Sequence, residues 1–244
     1  CGLISKIVPK KIIYCSEKSI NFHEKFHFYS KNKTSLIYNG YSEETYFPIT
    51  KLRLKFRKKN EINTSDIVIG FAGRYAKQKN INSMLYAFSK ISKVKNNVYL
   101  CMVGRDMNYQ NKELSNYIND LKINKKIFFL EKQKSLIEFY NGMDFLILAS
   151  HSESFPNVVA ESMLCSTPVL SSDAGCAKKI INNFGFVMKN NDAQSIFKNL
   201  KRTINILKFK KNKWKSLKKN SRLQIKKNFS ISNMANAYLK NWVF

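Results

Sequence analysis

Two carboxylates flank the expected start of a helix in the stretch Ser150-His-Ser-Glu-Ser-Phe-Pro-Asn-Val-Val-Ala-Glu161, which precedes a short apolar run from Thr167. Pro156 is pre-set for the first turn of a helix and excluded from its interior, so the helix should begin between Phe155 and Asn157. Glu153 then lies in the loop before the helix, and Glu161 lies inside it, about one turn along. Unpaired backbone N–H groups of that first turn make an anion site between the two acids. Two acceptors around an anion site suit a ligand with hydroxyls at both ends and phosphates in the middle. A nucleotide-sugar has that layout. Taken singly, Glu153 reads better as a helix-capping acid and Glu161 as a solvated helix residue.

A second constellation is Gly73-Arg74-Tyr-Ala-Lys-Gln-Lys79-Asn80. Gly73 lets the chain turn and lets backbone approach a ligand closely. Arg74 can fork onto phosphate oxygens, and Lys79, at the next predicted helix start, adds a point charge. Neither a Gly-x-x-x-x-Gly-Lys-Ser/Thr loop nor a Gly-x-Gly-x-x-Gly fingerprint is present. Beside this cationic loop, the two acids are better read as binding residues than as structural ones.

Residues so far apart need a frame that delivers several loops to one edge. From Asp66 onward, apolar runs at 67–71, 98–103, 127–130, 145–148 and 168–170 read as strands. Helical patterns at 80–92, 114–121, 136–141 and 156–165 separate them. Continuously apolar strands alternating with helices imply an α/β fold with a doubly wound parallel sheet covered on both faces. Ligands of such sheets sit beyond the carboxyl ends of the strands. The loops after Phe71, Val103, Leu130 and Leu148 therefore carry the expected site. Before residue 50 the chain offers two strands, at 11–15 and 35–38, with a helix between them and an Asn39-Gly40 turn. The stretch 43–59 reads as a linker running into a short basic helix. A last helix is expected over 230–244, ending in the apolar tip Trp242, Val243 and Phe244.

The 244 residues and 44% hydrophobic content suffice for one large domain, or one and a half smaller ones. No apolar run approaches the ~20 residues that span a bilayer. Cys1, Cys15, Cys101, Cys165 and Cys176 are scattered without Cys-x-x-Cys spacing, against a disulfide framework or zinc site and for a reducing cytoplasm. The net charge of +27 raises nucleic-acid binding, yet lysine is spread along the chain and no RNA-binding or zinc-finger motif accompanies it. The segment 200–219 mixes bulky apolar residues with a dense basic face. It reads either as an ordinary exposed basic helix or as one lying on an anionic membrane surface.

Together these pieces resemble the nucleotide-sugar-binding half of the retaining glycosyltransferases of family 4, which have the two-domain GT-B fold. Tyr38-Asn39-Gly40 with Phe47-Pro48 resembles the family's interdomain linker, and Gly73-Arg74 with Lys79 its phosphate element. Val103-Gly104 and Phe129-Leu130 resemble two of its strand ends. Ser150 through Glu161 resembles its Glu-x7-Glu element, including the Phe-Pro between the acids. Thr167-Pro-Val with Asp173-Ala-Gly175 resembles its Thr-Pro-Val…Asp-x-Gly, and Phe229-Ser230 the opening of its last helix.

The resemblance implies catalytic roles for Glu153, Arg74 and Lys79. Arg74 and Lys79 would grip the diphosphate and neutralise it as it leaves, while Glu153 would accept hydrogen bonds from donor-sugar hydroxyls. Gly73, Gly104, Ser154, Phe155, Pro156 and Asn157 would complete the donor wall. Glu161 would hold the ribose, and Leu130, Glu131 and Lys132 would frame the base. The donor would be a UDP-sugar, or second a GDP-sugar, with no cofactor and no metal. The acceptor would be a glycan or a lipid-linked acceptor in surface polysaccharide synthesis. The same resemblance divides the chain into a remnant of the N-terminal domain (1–48), a linker (49–62), the donor-binding domain (63–210) and returning helices (211–244).

Several positions depart from the pattern. Glu131 stands where Gly is usual, Cys176 where Gly or Asp is, and Lys178 and Lys179 where many members carry a Glu. His151 reads as a loop-surface histidine. The chain opens on Cys1 rather than Met, and most of the N-terminal, acceptor-side domain is expected to precede it. A chain so placed should bind nucleotide with little or no transfer. Its competitors are a degenerate or split-gene product that binds without catalysis and, further off, a basic nucleic-acid-binding protein.

Overall fold

The computed structural model describes residues 2–130 and 133–242. The N-terminal segment is a small parallel pair, β1 (Ile12–Tyr14) and β2 (Thr34–Leu36), joined through helix α1 (Glu17–Phe26). Ser16 caps α1 by accepting from the Ser19 N–H at 3.1 Å. The basic helix α2 (Thr50–Lys59) then leads to the main sheet. Arg53 and Arg57 of α2 both reach the carboxylate of Asp144, at 2.6 and 2.7 Å. Asp144 also accepts from the Val68 N–H at 2.8 Å, so one acid ties the linker helix to the sheet.

Six parallel strands follow: β3 (Ile67–Ala72), β4 (Val98–Val103), β5 (Ile127–Leu130), β6 (Phe145–Leu148), β7 (Val169–Ser172) and β8 (Phe186–Met188). Their order across the sheet is β5-β4-β3-β6-β7-β8. Helices α3 (Ile81–Val94), α4 (Lys112–Asp120), α5 (Ile137–Gly142), α6 (Asn157–Leu164) and α7 (Ala177–Ile181) connect them. The continuous apolar character of β3 has a direct cause. Ile67, Ile69 and Phe71 enter one core with α3, while Val68 and Ala72 enter the other with α5 and α6. A strand buried on both faces has no position for a polar residue. Chain order reverses between β3 and β6, which opens a crevice at their carboxyl ends.

The short elements α7 and β8, of five and three residues, escape sequence patterning because neither completes a readable period. The segment 200–219 is not a single helix. Backbone at Lys210, with φ −122° and ψ 59°, breaks it into α8 (Ala193–Phe209) and α9 (Lys211–Asn228). The apolar face of α8 is core: Leu200 and Ile204 are buried in the cluster that includes Ile81, Leu85 and Phe88 of α3. That burial removes the free amphipathic face that an interfacial helix requires. The last helix, α10 (Ile231–Trp242), turns back to the N-terminal segment, where the Tyr41 N–H donates to the Phe229 carbonyl at 2.8 Å. Trp242 remains exposed, and the rest of the expected apolar tip, Val243 and Phe244, lies outside the described residues.

Candidate functional site

The turn leaving β3 and the turn leaving β4 meet backbone to backbone. Gly73 donates its N–H to the Val103 carbonyl at 2.9 Å. Gly104 has φ +143°, and a Cβ there would stand 2.1 Å from the Gly73 carbonyl oxygen. Only glycine allows that approach. Beyond Gly73, Arg74 points into solvent and makes no hydrogen bond or ion pair among the described residues. A single helical turn over Lys77–Lys79 follows, and Asn80 in the left-handed region (φ 54°, ψ 42°) redirects the chain into α3.

That redirection carries the Lys79 amine across the crevice. Its Nζ lies 2.6 Å from Oε1 of Glu153 in the loop after β6. The same carboxylate oxygen accepts from the Ser150 hydroxyl at 2.7 Å. Both charged side chains are largely buried, 14% and 11% exposed, so the pair is shielded from water without being sealed from a ligand. Two residues 74 positions apart in sequence thus form one cationic and anionic unit at the switch point of the sheet. Glu153 caps no helix.

Helix α6 begins at Asn157 with Pro156 as the residue before it (φ −76°, ψ 87°), and no side chain caps its start. The Asn157 side chain is engaged from outside, accepting from Tyr41 Oη at 2.6 Å and from Asn39 Nδ2 at 3.0 Å. Phe155 is turned inward, its ring packed among Tyr38, Tyr41 and Phe229. Gly175 has φ +58°, and a Cβ there would stand 2.3 Å from the Ser154 carbonyl oxygen and 2.5 Å from that of Glu153. The Asp-x-Gly turn is therefore pressed against the Glu153 loop. Cys176 continues this contact, donating its N–H to the Ser154 carbonyl at 3.2 Å.

Glu161 stands apart from Glu153. It accepts from Tyr140 Oη at 2.7 Å and is not a solvated helix residue. Burial pushes its carboxyl up, and phenol hydrogen bonds from Tyr140 and Tyr46 pull it part of the way back. The carboxylate in turn helps to push Tyr46 up to about 12, after burial itself. Leu130 ends β5 half-buried, whereas Glu131 and Lys132 lie outside the described residues. The structure brings Lys79, Glu153 and Ser154 together; it sets Glu161 against Tyr140 of α5 and Tyr46.

Two contributors carry no sequence signal. Lys18 of α1 reaches over the cleft to Asp173, with Nζ 2.9 Å from Oδ1. Ser19 donates to the Ser154 hydroxyl at 3.0 Å. A cleft of about 440 Å³ lies beneath them, lined by Lys18, Phe22, His151, Glu153, Ser154 and Asp173. His151 is an exposed rim residue, held by its N–H to the Gln78 carbonyl and facing Asn191 at 3.1 Å. Nothing local marks Lys18 or Ser19, because their place depends on how the N-terminal pair docks. Lys178 and Lys179 line a neighbouring groove with Glu17 and Asn228, away from Glu153. Among the described residues no group of three or more His, Cys, Asp or Glu could hold a metal ion. Cys15, Cys101, Cys165 and Cys176 are free thiols, and burial pushes Cys165 and Cys176 up to about 12.

A parallel sheet with its charged loops gathered at one switch point is shared by many enzymes, and the sequence match decides among them. Residues 53–224 match the family model described as glycosyl transferases group 1. The chain belongs to that family.

Among curated group 1 relatives, it is 27% identical over 157 residues to the capsular polysaccharide biosynthesis glycosyltransferase CapM of Staphylococcus aureus, covering 64% of this chain and 40% of that protein. It is 23% identical over 163 residues to the O-antigen biosynthesis glycosyltransferase WclY of Escherichia coli, covering 67% and 43%. The chain thus spans about two fifths of the length of these relatives. In fold it is similar to the crystal structure of Anabaena Alr3699/HepE in complex with UDP-glucose, with a TM-score of 0.87 at 20% identity, covering all of this chain and 66% of that one. Among the described residues no helix is long and apolar enough to cross a membrane.

Proposed function

We propose that this chain is the donor-binding half of a retaining, metal-independent glycosyltransferase of family 4. The whole protein would move a hexose-type sugar from a UDP-sugar, or second a GDP-sugar, to a surface glycan or lipid-linked acceptor on the cytoplasmic side. The observation that carries this reading is the Lys79–Glu153 pair at the β3/β6 crevice, beside an unpaired Arg74. The bound UDP-glucose named for the Anabaena structure supports the donor class. The names of the capsule and O-antigen relatives support the acceptor class.

Breaking the bond between sugar and diphosphate loads negative charge onto the leaving oxygen. Fixed cations stabilise that charge without reorganising at the moment of reaction. Lys79 is already held at the crevice by Glu153, and Arg74 is free to fork onto phosphate oxygens. With Lys79 turned to the diphosphate, Glu153 accepts from donor-sugar hydroxyls beside the start of α6, at Ser154 to Asn157. Gly73 and Gly104 keep side chains out of the phosphate path. Glu161 holds the ribose with the carboxylate capacity that Tyr140 leaves over, and Leu130, Glu131 and Lys132 frame the base. The division at 48, 62 and 210 belongs to the same proposal.

Calorimetric titration with UDP tests it. Arg74→Ala and Lys79→Ala should each weaken binding about tenfold or more, since each removes a charge-assisted contact. Glu161→Ala should weaken UDP and leave inorganic pyrophosphate unaffected. Unchanged UDP affinity in both Arg74→Ala and Glu161→Ala sinks the site assignment. Because the chain spans about two fifths of its relatives, it should bind UDP without transferring sugar. Turnover by the chain alone would overturn that part.

A further inference from the structure

The end of the molecule opposite the cleft carries a different kind of surface. Helices α3 and α8 start beside the crevice and run to the amino-terminal edge of the sheet, where α8 breaks at Lys210 and α9 starts back. Lys208 marks this edge, donating to Asn97 just before β4 at 3.2 Å. Two large apolar side chains protrude there, Phe209 at 77% exposure and Val94 at 72%. Around Phe209 stand Lys201, Arg202, Lys210 and Lys213 in a shallow groove floored by Ile206. None of these four cations has an ion-pair partner among the described residues.

Composition bias does not account for this surface. Asp192 is the last acidic residue of the chain, and positions 193–244 hold 14 Lys and Arg with no Asp or Glu. All 16 acids lie in the first 192 residues, so the charge is segregated. Higher on α9, Arg222 and Lys226 reach Glu43 at 3.6 and 2.5 Å. At the elbow, unpaired cations stand where the apolar tips emerge.

We propose that the α8–α9 elbow, with the end of α3, is a docking surface for an anionic lipid bilayer. Phe209 and Val94 insert below the headgroups, and the elbow lysines meet lipid phosphates while their stems lie along the apolar boundary. Two isolated tips at convex helix ends suit that boundary. A nucleic acid would instead meet a groove lined with stacking platforms, and Phe209 offers one ring only. The contact differs from an interfacial helix in that α8 keeps its apolar face in the core and presents only its end. It is independent of which donor the crevice takes.

Co-sedimentation of the full chain with phosphatidylglycerol/phosphatidylcholine vesicles tests the inference. Binding is expected at low salt, with little to phosphatidylcholine alone. Each lysine is worth roughly fivefold, so the combined reversal Lys201→Glu, Lys210→Glu, Lys213→Glu should cost on the order of a hundredfold or more. Phe209→Ser, an exposed change that the fold tolerates, should cost about tenfold, because it removes the inserted ring. UDP affinity of every variant should match the wild type, which reports an intact fold. Equal binding to both vesicle types overturns the proposal, as does indifference to Phe209→Ser. Retention of the charge-reversed variant, or capture by single-stranded RNA with greater affinity than by the anionic vesicles, also overturns it.

Discussion

The two ends of the parallel sheet use the same basic composition in opposite ways. At the carboxyl end two cations of the crevice are assigned to acids: Lys79 to Glu153 and Lys18 to Asp173. Glycines at 73, 104 and 175 bring the loops into backbone contact, which fixes where those charges stand. At the amino end the lysines of the α8–α9 elbow are unpaired and surround the exposed Phe209. Paired, partly buried charges define geometry; a field of one sign defines only attraction, which salt screens. One charge at that end breaks the rule. Asp144 is shared by Arg53 and Arg57 and is structural.

That exception supplies the largest expected effect. Asp144→Ala should strand two arginines, one of them 4% exposed, and destabilise the chain by about 3–5 kcal/mol in urea melts. A loss near zero would mean that the linker helix is held by packing alone. Next, Gly175→Ala imposes a Cβ on a left-handed residue against the Glu153 loop and should cost about 1–3 kcal/mol. The companion readout is UDP affinity, which should fall as the Glu153 loop shifts. Unaltered stability would show that the carboxyl-end loops are looser than their contacts imply.

Smaller still is the coupling across the crevice. A double-mutant cycle of Lys79→Met and Glu153→Gln should return about 1 kcal/mol of mutual stabilisation, and purely additive effects would dissolve the pair. The smallest effect concerns the second acid. The folded carboxyl of Glu161 is raised above a free carboxyl's 4.5, so between that value and its folded value the folded state keeps a proton that the unfolded chain has released. Stability should therefore decline as pH rises through this window, and Glu161→Gln should lack that decline. Urea midpoints of the two proteins from about pH 4 to about pH 7 check this, and parallel profiles would remove the burial argument.

The alternating apolar runs were sufficient to read the parallel sheet, because a strand buried on both faces leaves an unbroken apolar signature. Pro156 likewise located the start of α6, since proline constrains its own backbone and that of its neighbours. Gly73 was legible as a turn residue, and Gly104 and Gly175 only as members of motifs that resemble the family's; what the three glycines meet was not legible. Gly104 and Gly175 are each required by a carbonyl from another loop. The reading of 200–219 as one segment failed for a related reason. Its apolar and basic residues divide between a core helix and an exposed elbow, and only the packing of α8 on α3 decides which are which.

By itself the sequence determined the fold class, the loops that meet at the crevice, and the segregation of charge after Asp192, because all three depend on local backbone preference or on composition. Tertiary structure alone decided that Lys79 and Glu153 form an ion pair, that Lys18 reaches Asp173, and that Glu161 turns toward tyrosines. Those outcomes depend on distances between residues remote in the chain, which no local pattern encodes. They are set by how layers of helices close on the sheet.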